Sequence, residues 1–178
     1  LPNRPSVRGD ELHISADQLT EGEFIAEGGF GQVFRGVWRP GGVVEMPVAL
    51  KVLKVMAERQ AFDAEMKVFK RASDKCGTSV CKLYGTTLLP AVSGNGPRRL
   101  CIVMKLYQAS LPQLLQSLGP LQPQHVQRYA AQLCEGLMQL HAHNILVKDI
   151  KPENILHDLE SDSLVIADFG ISAVLQST

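Results

Sequence analysis

A chain of 178 residues, 45% of them hydrophobic, suits one ordinary domain with a real core and is too apolar to stay disordered over most of its length. Its 18 basic and 18 acidic side chains cancel, so no global field favours nucleic acid or a membrane surface. No run approaches the roughly 20 apolar residues of a membrane helix and no secretory signal is visible at Leu1-Pro2-Asn3-Arg4-Pro5, so a soluble cytoplasmic protein is expected, with no nucleic-acid partner and no membrane segment.

Residues 1–19 are polar, rich in turn formers and expected to form a lead-in. Phe24-Ile25-Ala26 and Gln32 to Trp38 read as a hairpin across a glycine loop, Pro40-Gly41-Gly42 as a turn, and Pro47 to Leu53 as a third strand. Ala57 to Ala72 reads as a helix, with Phe62, Glu65, Met66 and Phe69 on one face. Residues 81–90 and 99–107 read as two more strands around a Ser93-Gly94-Asn95-Gly96-Pro97 loop. Ser110 to Leu118 suits a short helix. Pro123 to His143 suits a long one, with Val126, Tyr129, Ala130, Leu133, Leu137 and Leu140 at helical spacing. Ile145 to Val147, Ile155 to His157 and Leu164 to Ala167 are short β-like runs. A mostly β half is followed by a mostly α half, with the boundary near Lys105 to Ala109.

Four cysteines, Cys76, Cys81, Cys101 and Cys134, have no zinc-like spacing and read as free thiols of an intracellular protein. Gly28-Gly29-Phe30-Gly31 is more informative, because backbone without side chains approaches phosphates closely and offers its N–H groups. A plain glycine-rich hairpin turn explains it equally well in isolation. A dinucleotide fold is disfavoured because a β-like run follows instead of a helix, and the Gly-Lys-Ser/Thr ending of an NTPase loop is absent. Glu65 on an otherwise apolar face requires a partner; Lys51 is the first candidate and Lys54 the alternative.

The motifs in order resemble the protein kinase family. They are Ala26-Glu27-Gly28-Gly29-Phe30-Gly31-Gln32-Val33 against GxGxxGxV, Val48-Ala49-Leu50-Lys51, Glu65, Val147-Lys148-Asp149-Ile150-Lys151-Pro152-Glu153-Asn154 against HRDLKPEN, and Asp168-Phe169-Gly170. Lys151 is the serine/threonine feature, and Gly28 to Gly36 looks like the tyrosine-kinase-like group. The resemblance covers about residues 20–178. It implies an α+β bilobal fold: lead-in 1–19, a β-rich N-lobe with one key helix over 20–104, a hinge at 105–109, and a partial helical C-lobe over 110–178.

What the resemblance implies for the site is specific. ATP and Mg²⁺ are the cofactors and proteins the substrates. Ala26, Gly28 and Gly31 would belong to the phosphate loop, and Lys51, paired with Glu65, would hold the α/β-phosphates. Val33 and Ala49 would cover the base from above and Leu156 from below. Met104 would be the gatekeeper, followed by the hinge Lys105-Leu106-Tyr107, which usually begins with an acidic residue. Asp149 would accept or orient the hydroxyl proton, Lys151 would neutralise the transferred phosphoryl group, and Asn154 and Asp168 would hold the metal. Ala26, Val147 and Lys148 stand where the family has glycine, histidine and arginine.

Only Ile171 to Thr178 follow Gly170, so the rest of a C-lobe or further domains are expected in a longer protein, and the piece by itself is expected to be inactive. Three functions stay open: a Ser/Thr protein kinase, a kinase-like regulatory or scaffold protein with optional ATP binding, and a small-molecule phosphotransferase. Lys151-Pro152-Glu153-Asn154 speaks against the last.

Overall fold

The computed structural model describes residues 12–28, 31–53, 59–92, 96–170 and 173–174. Gly29 and Phe30 of the glycine loop, Lys54, the expected helix start at Ala57, the loop residues Ser93 to Asn95 and most of the tail after Gly170 lie outside these. The chain divides into two compact units, Leu1–Met56 with Tyr84–Met104, and Ala57–Leu83 with Lys105–Thr178. The division differs from the expected 20–104 lobe, because the segment 57–83 is counted with the second unit.

The first unit is built on a five-stranded sheet. Its strands are β1 (Leu19–Gly28), β2 (Gly31–Trp38), β3 (Met46–Leu53), β4 (Leu83–Leu89) and β5 (Arg99–Lys105), in the order β1-β2-β3-β5-β4. The expected hairpin is present, with Gly28 opposite Gly31 and Ala26 opposite Val33. Pro40–Gly42 forms a 3₁₀ turn in which Gly41 and Gly42 take φ of 66° and 80°, values that suit glycine. Period-two alternation sends Val48, Leu50 and Val52 into a core with Leu89, Cys101 and Val103. Ile14 of the lead-in joins that core. Its N–H donates to Thr86 O at 2.9 Å. This is possible because position 85 is glycine; a Cβ there would lie 2.2 Å from Leu12 O.

The second unit holds α1 (Arg59–Lys75), β6 (Ala109–Ser110), α2 (Leu111–Leu118), α3 (Pro123–Ala142), β7 (Ile145–Leu146), β8 (Ile155–Asp158), β9 (Ser163–Ile166) and β10 (Ala173–Val174). The strands pair as β6-β8-β9 and β10-β7. Helix α1 buries Phe62, Glu65, Met66 and Phe69, the expected face. It is tied within this unit: Arg71 Nε donates to His143 O at 3.1 Å, and Ser73 Oγ accepts from Leu83 N at 3.1 Å. Helix α2 starts where Gln113 Oε1 accepts from Ser110 N at 2.8 Å, the return half of a capping box. It ends at Gly119, with φ of 70°. On α3 the buried line runs through Tyr129, Gly136 and Leu140, while Val126 and Ala130 are exposed. Gly136 was absent from the apolar pattern because it has no side chain to register, yet a Cβ there would meet Ile166 Cδ1 at 3.3 Å.

Helix α3 is fastened to the β8–β9 hairpin through Asp162 in its turn, which takes φ of 47°. Tyr129 Oη donates to Asp162 Oδ1 at 2.9 Å, His157 Nε2 lies 3.0 Å from the same oxygen, and Arg128 pairs with Oδ2. Gln132 Oε1 accepts from Leu164 N at 3.0 Å. Among the described residues no helix is long and apolar enough to cross a membrane, and the four cysteines are free.

The Asp162 cluster yields a test. Hydrogen bonding from His157, then from Tyr129 and Arg128, holds the Asp162 carboxyl at about 2, against an ordinary 3.8. A depressed folded-state pKa adds stability above the ordinary value, and that stability is lost as pH falls through the folded one. Asp162→Asn is therefore expected to lower stability at neutral pH, with the deficit shrinking between pH of about 4 and about 2 in chemical unfolding. A deficit independent of pH over that range would show that the charge is not what matters.

Candidate active site

In the first unit, register decides which side chains share a face. Val33 pairs with Lys51 and Arg35 with Ala49 across β2 and β3, so Val33, Ala49 and Lys51 lie on one face, opposite the Leu50 core face. Ala49 is buried and Val33 and Lys51 half-buried. The two described glycines of the loop differ. A Cβ on Gly31 would lie 2.4 Å from Val52 O, so this glycine is required by strand packing alone. A Cβ on Gly28 would meet nothing within 4 Å among the described residues. Ala26 is exposed and pairs with Val33. Met104, also in this unit, is half-buried on β5.

In the second unit the segment 147–154 leaves β7 and turns back into β8. Asn154, buried, donates from Nδ2 to Asp149 O at 3.0 Å and to Asp149 Oδ2 at 3.1 Å. Its Oδ1 accepts no hydrogen bond among the described residues. Lys151 Nζ donates to Asp149 Oδ2 at 2.5 Å. Asn154 O accepts from Ala167 N at 2.9 Å, which brings the segment beside the end of β9. Asp168 follows at once with φ of 60°, uncommon for a residue with a Cβ, and its Oδ1 accepts from Gly170 N at 3.3 Å. Phe169 is fully buried and stacks at a tilt on Phe69, with centroids 5.3 Å apart. Val147 is buried and Lys148 exposed.

Asp149, Lys151, Asn154 and Asp168 are thus assembled in one place. Glu65 lies on α1, Leu106 in the linker after β5 and Leu156, half-buried, on β8. Lys51 and Glu65 belong to different units. The sequence reading noted Lys105 only as a departure and missed its partner. Its ammonium reaches Asp158 Oδ2 at 2.8 Å, a pairing across 53 positions that leaves no local signal.

The hydrogen bond from Lys151 holds the Asp149 carboxyl below the usual carboxylate range, and the same bond, with the nearby Asp149 and Asp168 charges, holds Lys151 above the usual lysine range. The Asp149 share of this pair is present above the ordinary carboxylate pKa and lost as pH falls through the lowered value. The Lys151 share is present below the ordinary lysine pKa and lost as pH rises through the raised one. The pair is intact across neutral pH. Replacing the ammonium by Lys151→Met is expected to move the Asp149 titration midpoint upward, read by carboxyl carbon NMR. An unmoved midpoint would show that the two groups do not pair in solution.

Comparison with known proteins adds a family. The description "Protein kinase domain" matches residues 19–178. The cell division control protein 2 homolog C of Antirrhinum majus is 29% identical over 164 residues, which cover 84% of this chain and 50% of that protein. Serine/threonine-protein kinase ppk31 of Schizosaccharomyces pombe is 30% identical over 165 residues, covering 92% of this chain and 15% of that one. Mitogen-activated protein kinase kinase kinase 7 of Homo sapiens is 28% identical over 171 residues, covering 92% and 25%. The chain spans half or less of the length of these relatives.

Proposed function

The chain belongs to the protein kinase family, and on that premise we propose that the complete protein is a serine/threonine kinase that transfers the γ-phosphoryl group of ATP to Ser or Thr hydroxyls of protein substrates. The observation that carries this reading is the turn Asp149 to Asn154, in which one buried amide fixes a carboxylate beside an ammonium and abuts the strand end bearing Asp168. The printed names of two relatives, a serine/threonine-protein kinase and a mitogen-activated protein kinase kinase kinase, support the class of reaction.

Each residue has a role in the proposal. Lys51 holds the α- and β-phosphates, aided by backbone N–H groups around Gly28 and Gly31. Val33, Ala49 and Leu156 pack on the base, with Met104 as gatekeeper and the Leu106 backbone as its hydrogen-bonding edge. Asn154 Oδ1 and the Asp168 carboxylate are hard oxygen donors of the kind magnesium takes. When bound, that ion neutralises charge shared among the phosphates. Asp149, held below the usual carboxylate range by Lys151, is ionised at neutral pH and so can orient a hydroxyl and accept its proton late in transfer. Lys151 neutralises charge on the transferred group. A cytoplasmic location is proposed too, supported by the buried free thiols Cys76, Cys81 and Cys101.

A second reading, a regulatory or scaffold protein with optional nucleotide binding, is favoured by Val147, a buried aliphatic side chain where the family has histidine. A phosphotransfer assay on the complete protein, with Mg²⁺, ATP and a generic basic protein, separates the two. Asp149→Asn is expected to lower kcat roughly 10²–10⁴-fold, and Lys51→Met to abolish phosphorylation. Ala26→Gly is expected to stay within a few-fold of the parent rate, because Ala26 is exposed and its methyl removes no N–H donor. A protein that binds partners but transfers no phosphate would promote the scaffold reading.

A further inference from the structure

Strand β9 is apolar on both faces. Leu164, Val165 and Ile166 are all buried, at 2%, 2% and 1% exposure. Exchanging the faces of such a strand changes burial little, so apolar packing specifies its register weakly. Yet the register decides where polar groups meet. Ile155 is opposite Ile166, and one step further Ala167 N donates to Asn154 O at 2.9 Å, beside the strand end bearing Asp168. A directional contact is needed to select it.

His157 supplies one. It is a buried polar side chain of β8, 5% exposed, paired in the sheet with Leu164 and Ala109 and lying edge-on to the Tyr129 ring. A buried ring nitrogen needs a partner, and Nε2 lies 3.0 Å from Asp162 Oδ1. Asp162 is held in turn from α3, where Tyr129 Oη donates to the same oxygen at 2.9 Å and Arg128 pairs with Oδ2. With its pKa lowered to about 2, first by His157, Asp162 is ionised at neutral pH and accepts only, so Nε2 carries the hydrogen. That N–H exists in the neutral Nε2 tautomer and in the imidazolium alike, so the bond holds whatever the charge of the ring.

We propose that His157 is a positioning residue: its hydrogen bond to Asp162, anchored on α3, selects the β8–β9 register that sets Asn154 beside Asp168. The selection of register stands on the hairpin alone; its consequence for magnesium rests on the kinase reading above. A slip of β9 by one residue changes the turn between the paired residues Asp158 and Ser163 and carries Asp162 away from His157. The bond is therefore made in this register and not in its neighbour. An aliphatic side chain at position 157 would fill the same space without telling one register from the next.

The test uses the complete protein and two readings. The first needs no ligand: hydrogen exchange at the Ala167 amide, which reports the bond to Asn154 O. His157→Leu is expected to speed that exchange about tenfold or more, and His157→Gln, which keeps an N–H donor, to leave it within about threefold of the parent. The second is the gain in ATP affinity on adding Mg²⁺, compared with ATP alone in EDTA. His157→Leu is expected to cut that gain about tenfold, the scale on which partners of metal-binding residues act, and to leave metal-free ATP affinity unchanged. In an Asp162→Gly background, where glycine suits the φ of 47°, His157→Leu is expected to add less than about twofold to either loss. Unaltered Ala167 exchange in His157→Leu overturns the proposal. So does the reverse order, leucine tolerated and glutamine not, which marks a side chain that only fills space. If His157→Leu does not fold, Asp162→Gly, which removes the acceptor from a surface turn, decides by the same readings. An unaltered protein that gains no ATP affinity from Mg²⁺ overturns the kinase reading itself, and Ala167 exchange then still decides the proposal.

Discussion

The polar centre of the second unit depends on the ladder between β8 and β9. Ile155 is opposite Ile166 and Leu156 opposite Val165, and the bond from Ala167 N to Asn154 O carries the pairing one step past the end of the strands. Asn154 and Asp168 are therefore separated by strand geometry and not by loop conformation. Since side chains alternate along a strand, a slip of one residue would exchange the two faces of β9 and move Asp168 away from Asn154. The ladder is guarded on both sides. Gly136 lets α3 approach Ile166 closely, and Asp162 pins the hairpin turn to Tyr129 and Arg128.

A second register, between β2 and β3, does comparable work in the first unit. It places Lys51 and Val33 opposite each other and sends Leu50 and Phe34 to the other side. The lysine is thereby kept out of the apolar core while its neighbours Leu50 and Val52 fill it. The two loop glycines that resemble one motif are retained for separate reasons. Gly31 is demanded by the Val52 carbonyl, whereas no described residue would crowd a Cβ at Gly28.

The departures from the family pattern acquire physical content in these surroundings. Val147 is buried in the same unit as the Phe69–Phe169 pair, so it adds apolar area but offers no hydrogen bond. Lys105 is not a neutral replacement for an acidic residue: it recruits two carboxylates, Asp158 at the end of β8 and Glu160 in the turn that follows.

Much of this was legible in the amino-acid sequence. The 3.6-residue spacing of Phe62, Glu65, Met66 and Phe69 marked a buried helix face, and alternation with glycine punctuation marked β1 to β3. The strings around Asp149 and Asp168 marked a family, because chemistry of that kind needs particular residue types in short, contiguous runs. Other features left no local trace. Ile14 looked like part of a polar lead-in until β4 supplied its neighbours. The strand Ala109–Ser110 is too short to show a period and exists because β8 pairs with it. Gly136, Asp162 and Asp158 gained their roles from partners many positions away. Sequence alone determined which residues were chemically capable and which local elements would carry them, since period and turn chemistry are properties of neighbours along the chain. Tertiary structure decided which of them meet, since strand register, helix approach and ion pairing are settled only when distant segments are packed together and desolvated.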